Sequence, residues 1–108
     1  MADRKPRQRN VPRRGTLSAA VSEIAWTEET EAHIARHGVV PGEVEEAIYS
    51  RPRLVAPGRE GTRLVFAETS AGRYLFVVVG QAADGRDFVV TARDMTAAER
   101  RRFREKGR

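Results

Sequence analysis

A histidine at a helix end and arginines at the ends of strand-like runs are the residue types in this chain that suit chemistry on a phosphate ester. His37 can take or give a proton near neutral pH, where the imidazole titrates. Arg63 and Arg93 stay cationic and offer a planar fork of donors, which suits charge building on phosphorus. Neither can act as a practical base. Each has a structural alternative. His37 could cap a helix C-terminus, where a donor or cation is favoured. Arg63 and Arg93 could pair with carboxylates such as Asp94 or Glu99. Arg53 and Arg73 are further candidates for phosphate contact. The run Arg100-Arg101-Arg102, with Arg104, reads either as a solvated helix face or as a phosphate track. His33 precedes His37 by four residues and shares its helix face. Two such His could bind a metal, but no third ligand accompanies them, so no metal and no cofactor is expected. Trp26 reads as core rather than as a base-stacking platform.

The elements that must position these residues can be read from period and punctuation. Ser22–Trp26 reads as a short strand entering a helix. Thr27 suits the N-cap, and Glu28, Glu29 and Glu31 lie where the helix dipole favours anions. That helix should stop at Gly38, with Arg36 and His37 in its last turn. Pro41 can open a second helix whose Val44, Ala47 and Ile48 share a face, and Arg51-Pro52 ends it. Three strand-like runs follow: Arg63–Thr69, Tyr74–Val79 and Phe88–Arg93, with Arg53–Ala56 a candidate for a fourth, shorter strand. Tyr74–Val79 is continuously apolar, as expected of a central strand covered on both faces. In Phe88–Arg93, alternation puts Phe88, Val90 and Ala92 on one face and Val89, Thr91 and Arg93 on the other. If the strands pair suitably, Arg63 and Arg93 converge on one surface. Ala71-Gly72 and Asp84-Gly85 suggest tight turns and hence an antiparallel meander. Thr96, with Glu99 three residues on, has the capping-box pattern for a basic last helix, Ala97–Lys106, anchored by Phe103. The fold class is α+β: two N-terminal helices, a meander of three to four strands and a C-terminal helix.

The chain has 108 residues, the size of one domain. No apolar run approaches the roughly 20 residues of a membrane span. No secretion signal is evident, and the absence of cysteine fits a cytoplasmic protein. The net charge is +5, but its distribution matters more. Residues 1–20 hold six basic groups against Asp3 and are read as a flexible basic arm; residues 21–108 form the domain and are neutral overall. Within the domain, residues 21–50 carry −6 and residues 51–108 carry +6. A basic region of this kind could meet phosphates or an acidic protein.

The order of several short motifs resembles the BrnT family of bacterial toxins. Ile24-Ala25-Trp26 precedes a helix ending Ala35-Arg36-His37-Gly38-Val39, similar to the family's aromatic strand and Lys/Arg-His-Gly helix end. Glu43–Tyr49, Gly61-Thr62-Arg63, the turn Thr69–Arg73, Val90-Thr91-Ala92-Arg93 and Ala98-Glu99-Arg100 with Phe103 continue the likeness over about residues 23–105. Thr27, His33 and Phe103 stand where the family usually has an acid, Asn and Tyr. The resemblance implies a RelE-like fold and the toxin role in a type II toxin–antitoxin pair. It implies metal-independent cleavage of RNA that inhibits translation, and a cognate antitoxin, a small DNA-binding protein. Operator DNA would be met only through that antitoxin. On this reading His37, Arg63 and Arg93 form the catalytic set. Arg53, Arg73, Arg100, Arg101 and Arg104 hold RNA. Two alternatives stand beside it: a toxin-like domain without chemistry that serves in a complex or in autoregulation, and a general nucleic-acid binder driven by the basic arm.

Overall fold

Thr27 opens the first helix by a reciprocal cap. Its hydroxyl accepts the Thr30 amide at 3.1 Å, and Thr30 Oγ1 accepts the Thr27 amide at 3.1 Å. This fixes α1 at Glu28–Ala35 in the computed structural model, which describes residues 24–106. The helix ends before His37: Arg36 is the C-cap and Gly38 takes a φ of +72°. His37 therefore sits in the connecting turn, not in a helical turn. A second helix, α2, spans Pro41–Tyr49, where the Glu43 carboxylate accepts the Val40 amide at 3.2 Å. Its Val44, Ala47 and Ile48 are fully buried, as their spacing requires.

Four strands follow: β1 (Arg53–Pro57), β2 (Arg63–Glu68), β3 (Tyr74–Gln81) and β4 (Asp87–Asp94). Each pairs antiparallel with its sequence neighbour, in the order β1-β2-β3-β4. The β2–β3 turn closes through Thr69, whose amide donates to Arg73 O at 2.8 Å, with Gly72 at a φ of +91°. Helix α3, Ala97–Lys106, ends the described chain. The architecture is α+β, three helices and a four-stranded antiparallel meander. The strand expected at Ser22–Trp26 is, among the described residues, a single parallel bridge between Ile24 and Asp87. The Ala25 amide donates to Asp87 O there at 2.8 Å. The arm, residues 1–20, lies outside the described residues.

The two faces of the sheet differ. Helix α1 packs on β4 and α2 packs on β2 and β3, enclosing Ile34, Val39, Val65, Ala67, Leu75, Val77, Val79, Val89 and Ala92. Helix α3 lies on the other face toward β1 and β2, with Phe103 edge-on to Tyr74 at 5.9 Å. Because α3 is short, the outward residues of β3, Phe76 and Val78, are only half-buried. The expectation of complete cover on both faces of β3 therefore fails.

Strand β4 also departs from simple alternation. Thr91 pairs with Val78 and Val89 pairs with Val79, so Val90 has no partner across the ladder. This bulge rephases the strand. Val89 and Ala92 both face the core, Val90 is 43% exposed, and Asp87 is turned inward. The expected face Phe88, Val90, Ala92 does not form.

Candidate functional site

The start of β3, the end of β4, the α1–α2 turn and the start of α3 meet at one end of the sheet, and Arg73 ties the first three together. Its Nε donates to Asp94 Oδ1 at 2.7 Å. Its Nη1 donates to Gly38 O at 2.8 Å and to both Glu43 oxygens at 3.0 and 3.1 Å. Its Nη2 reaches His37 O at 3.4 Å. The hydrogen bond from Arg73 holds the Asp94 carboxyl below its ordinary pKa, against a smaller opposing effect of burial. Arg73, expected to meet RNA, is thus occupied in clamping the α1–α2 turn to the sheet.

Arg93 is the neighbour of this clamp, on the α3 face. It forms a two-pronged pair with Glu99, at 2.9 and 3.0 Å, and donates to Asp94 O at 2.9 Å. Its guanidinium carbon lies 4.2 Å from the centre of the Phe76 ring. Glu99 also accepts the Thr96 amide at 2.9 Å while Thr96 Oγ1 accepts the Glu99 amide at 3.1 Å. The bond from Arg93, then the Thr96 amide, hold the Glu99 carboxyl low against its burial. The alternative of a strand-end ion pair is what Arg93 adopts. Arg100 donates to Met95 O at 3.2 Å. Arg101, Arg102 and Arg104 are exposed. Arg104 leans over Tyr74, 5.5 Å from its ring centre. Arg101 and Arg102 form no ion pair among the described residues. His37 is exposed in its turn, its ring 5.8 Å from that of His33.

Arg63 is not part of this end. Arg93 pairs with Phe76, which pairs with Phe66, three residues along β2 from Arg63. That is about 10 Å along the strand. The parity also differs: Arg63 shares the face of Val65 and Ala67, beneath α1 and α2. There its Nη2 contacts Asp87 Oδ1 at 2.5 Å, and the Asp87 side chain is only 3% exposed. The two arginines lie on opposite faces and cannot hold one phosphate together. Arg53 shares the α2 face and donates to Ile48 O at the end of that helix. Burial and the nearby Arg51 lower its pKa. The structure therefore brings Arg73 to the backbone of the His37 turn, and Arg93 and Arg100 to the start of α3, with Arg101 and Arg104 along that helix; the His37 ring itself meets His33. Arg63 and Arg53 lie elsewhere.

No family model, curated protein or solved structure matches the chain.

The clamp residue Glu43 and the partner Asp87 carry no signal of their own in the sequence. Asp94 and Glu99 were both legible as partners of a strand-end arginine; Glu99 takes Arg93, and Asp94 takes Arg73 instead. Among the described residues no group of three or more His, Cys, Asp or Glu side chains is placed to hold a metal. No described helix is long and apolar enough to cross a membrane.

Proposed function

We propose that this domain acts on RNA as the toxin half of a toxin–antitoxin pair, on a RelE-like scaffold, with its contact surface at the His37 end and along α3. The observation that carries the reading is the run of exposed Arg101, Arg102 and Arg104 on the helix that starts beside Arg93, whose neighbour Asp94 is tied through Arg73 to the His37 turn. Arg101 and Arg104, three residues apart, share a helix face, and such arginines track a phosphate backbone without regard to sequence. At that end His37 takes the proton of an RNA 2′-hydroxyl as its oxygen attacks phosphorus. The bond to the 5′-oxygen breaks, that oxygen takes a proton from water, and a 2′,3′-cyclic phosphate and a 5′-hydroxyl end remain. Charge on the phosphorane is met by Arg93 once RNA competes with Glu99 for its fork. An antitoxin would cover this face, keep the domain silent in the cytoplasm, and carry the operator contact.

A second reading, a toxin-like domain that binds without cleaving, is favoured by two observations. The guanidiniums of Arg63, Arg73 and Arg93 are all paired with carboxylates. Phe103, 4% exposed and without a hydroxyl, is packing rather than chemistry. One experiment separates them. The full chain is expressed alone, with growth and RNA integrity followed, beside His37→Gln. Growth arrest with cleaved RNA, relieved by His37→Gln, is the expected result. Arrest with intact RNA would leave the binding reading, and unimpaired growth with intact RNA would sink the toxin reading.

A further inference from the structure

A groove lies away from α3, between the second half of α2 and the β2–β3 turn. It measures about 750 Å³ and is lined by Glu45, Glu46, Tyr49, Pro52, Glu68 and Ser70, among others. That volume is in the range of ligand sites. Its floor is apolar: the Tyr49 ring is 56% exposed and Pro52 lies beside it. Its rim is acidic, with Glu45 and Glu46 on the helix and Glu68 at the end of β2. The two helix carboxylates, Glu45 and Glu46, are held in place rather than left to swing. Trp26 Nε1 donates to Glu45 at 2.7 Å, and Ser70 Oγ donates to Glu46. With three carboxylates against the one cation Arg51, the lining is net acidic and disfavours a phosphate backbone.

The occupant that fits is an extended cationic segment with a short apolar centre. The chain carries one. Arg7 and Arg9 on one side and Arg13 and Arg14 on the other flank Val11-Pro12. The signs are complementary: the groove lining carries Glu45, Glu46 and Glu68 against Arg51, a net charge of −2, and residues 1–20 carry +5. The reach is sufficient. Ile24 is tied to Asp87, at the end of the sheet opposite to Glu68 and Ser70. β2, six residues long, spans about 20 Å between those ends. The ten residue steps from Arg14 to Ile24 can extend about 33 Å.

We infer that this groove is the docking site of the chain's own segment Arg4–Arg14, bound in cis. Its arginines lie between Glu46 and Glu68, and Val11-Pro12 rest on Tyr49 and Pro52. Each pair is weak alone because it is solvent-exposed. The segment docks because several pairs and an apolar contact form together at the high effective concentration of one chain. The inference is independent of any action on RNA.

Lys5 makes the test specific, since Lys5 and Lys106 are the two lysines of the chain. The full chain is treated with a zero-length carbodiimide and digested, and its cross-links are mapped. In parallel, tryptic cleavage after Arg9 and Arg13 is timed in the wild type and in Glu46→Gln/Glu68→Gln, with Trp26 fluorescence as the check on folding. Links from Lys5 to Glu46 or Glu68 at monomer mass are expected, with cleavage about fivefold faster in the variant. If the groove variant fails to fold, Arg7→Ser/Arg9→Ser/Arg13→Ser/Arg14→Ser, which leaves residues 21–108 untouched, should lose the same links. Links found only in covalent dimers would assign the groove to a second copy's segment. Absence of any link to a groove carboxylate would leave it to a basic segment of another protein. Either outcome overturns the inference.

Discussion

Replacing Arg73 with alanine removes two carboxylate pairs and leaves the carbonyls of His37 and Gly38 without their donor. The expected cost at neutral pH is about 1–2 kcal/mol, kept modest because water screens half-exposed pairs. The loss should depend on pH in a defined direction. Asp94 is held below its ordinary value in the folded state by Arg73. Its contribution is therefore complete above the unfolded carboxylate value of about 3.9 and disappears as pH falls through the lower folded value. Arg73 stays protonated throughout. Urea denaturation of wild type and Arg73→Ala from pH 7 to pH 2 should show a constant gap down to about pH 5 that narrows in acid. A gap that stayed constant to pH 2 would show that Asp94 is not what Arg73 holds. The residue types were legible in the sequence: Arg93 and Arg100 stand at the β4–α3 junction, and His37 in the α1–α2 turn that Arg73 ties to the end of β4. Their occupations were not. An arginine looks the same in a sequence whether it faces solvent or a carboxylate. Glu43 and Asp94 reach Arg73 only through the way α2 and β4 meet at the turn.

The helices were readable because their signals are local. Thr27, Pro41 and the Thr96/Glu99 pair each lie at the start they announce, and burial of Val44, Ala47 and Ile48 follows from spacing alone. The strands were readable as strands, but their faces were not. Val89 and Val90 have the same side chain, so nothing in the sequence says which is buried; the bulge decides. The failure over Arg63 has a related origin. Which face a residue takes depends on turn lengths and on the register between strands, so one residue of slip reverses it. The bulge also brings Phe88 across Gly80, where a β-carbon would stand 2.7 Å from Phe88 Cζ. Gly80→Ala must therefore displace the ring or the strand and should destabilise by about 1–3 kcal/mol. Gly42→Ala, on α2 with nothing within 4 Å of its β-carbon, is the control and should lose nothing comparable. Equal melting temperatures for the two would refute the close approach.

At the scale of the molecule, charge is arranged by face as well as by sequence. The acidic groups of residues 21–50 lie mostly on α1 and α2, over one face of the sheet. The exposed arginines of α3 lie on the other. The division was visible as a −6 and a +6 half of the domain, and the fold converts it into two sides. RNA binding by the whole protein should then be steeply salt-dependent. Arg101→Ser/Arg102→Ser/Arg104→Ser should reduce the slope of log K against log salt by about 2, since each single-strand phosphate contact contributes about 0.7. An unchanged slope would move the binding surface away from α3. The Ile24–Asp87 bridge has a separate consequence, for the order of assembly. Every other strand contact joins neighbours in sequence, so the meander can zip from hairpin to hairpin through small loops. The entry segment alone must wait, because its partner strand is the last to be made and the loop it closes holds roughly 60 residues. The Ala25 amide, buttoned to Asp87 O, is thus the latch of the sheet. It should form late in folding, and its proton should be among the first to trade with solvent when the domain begins to open.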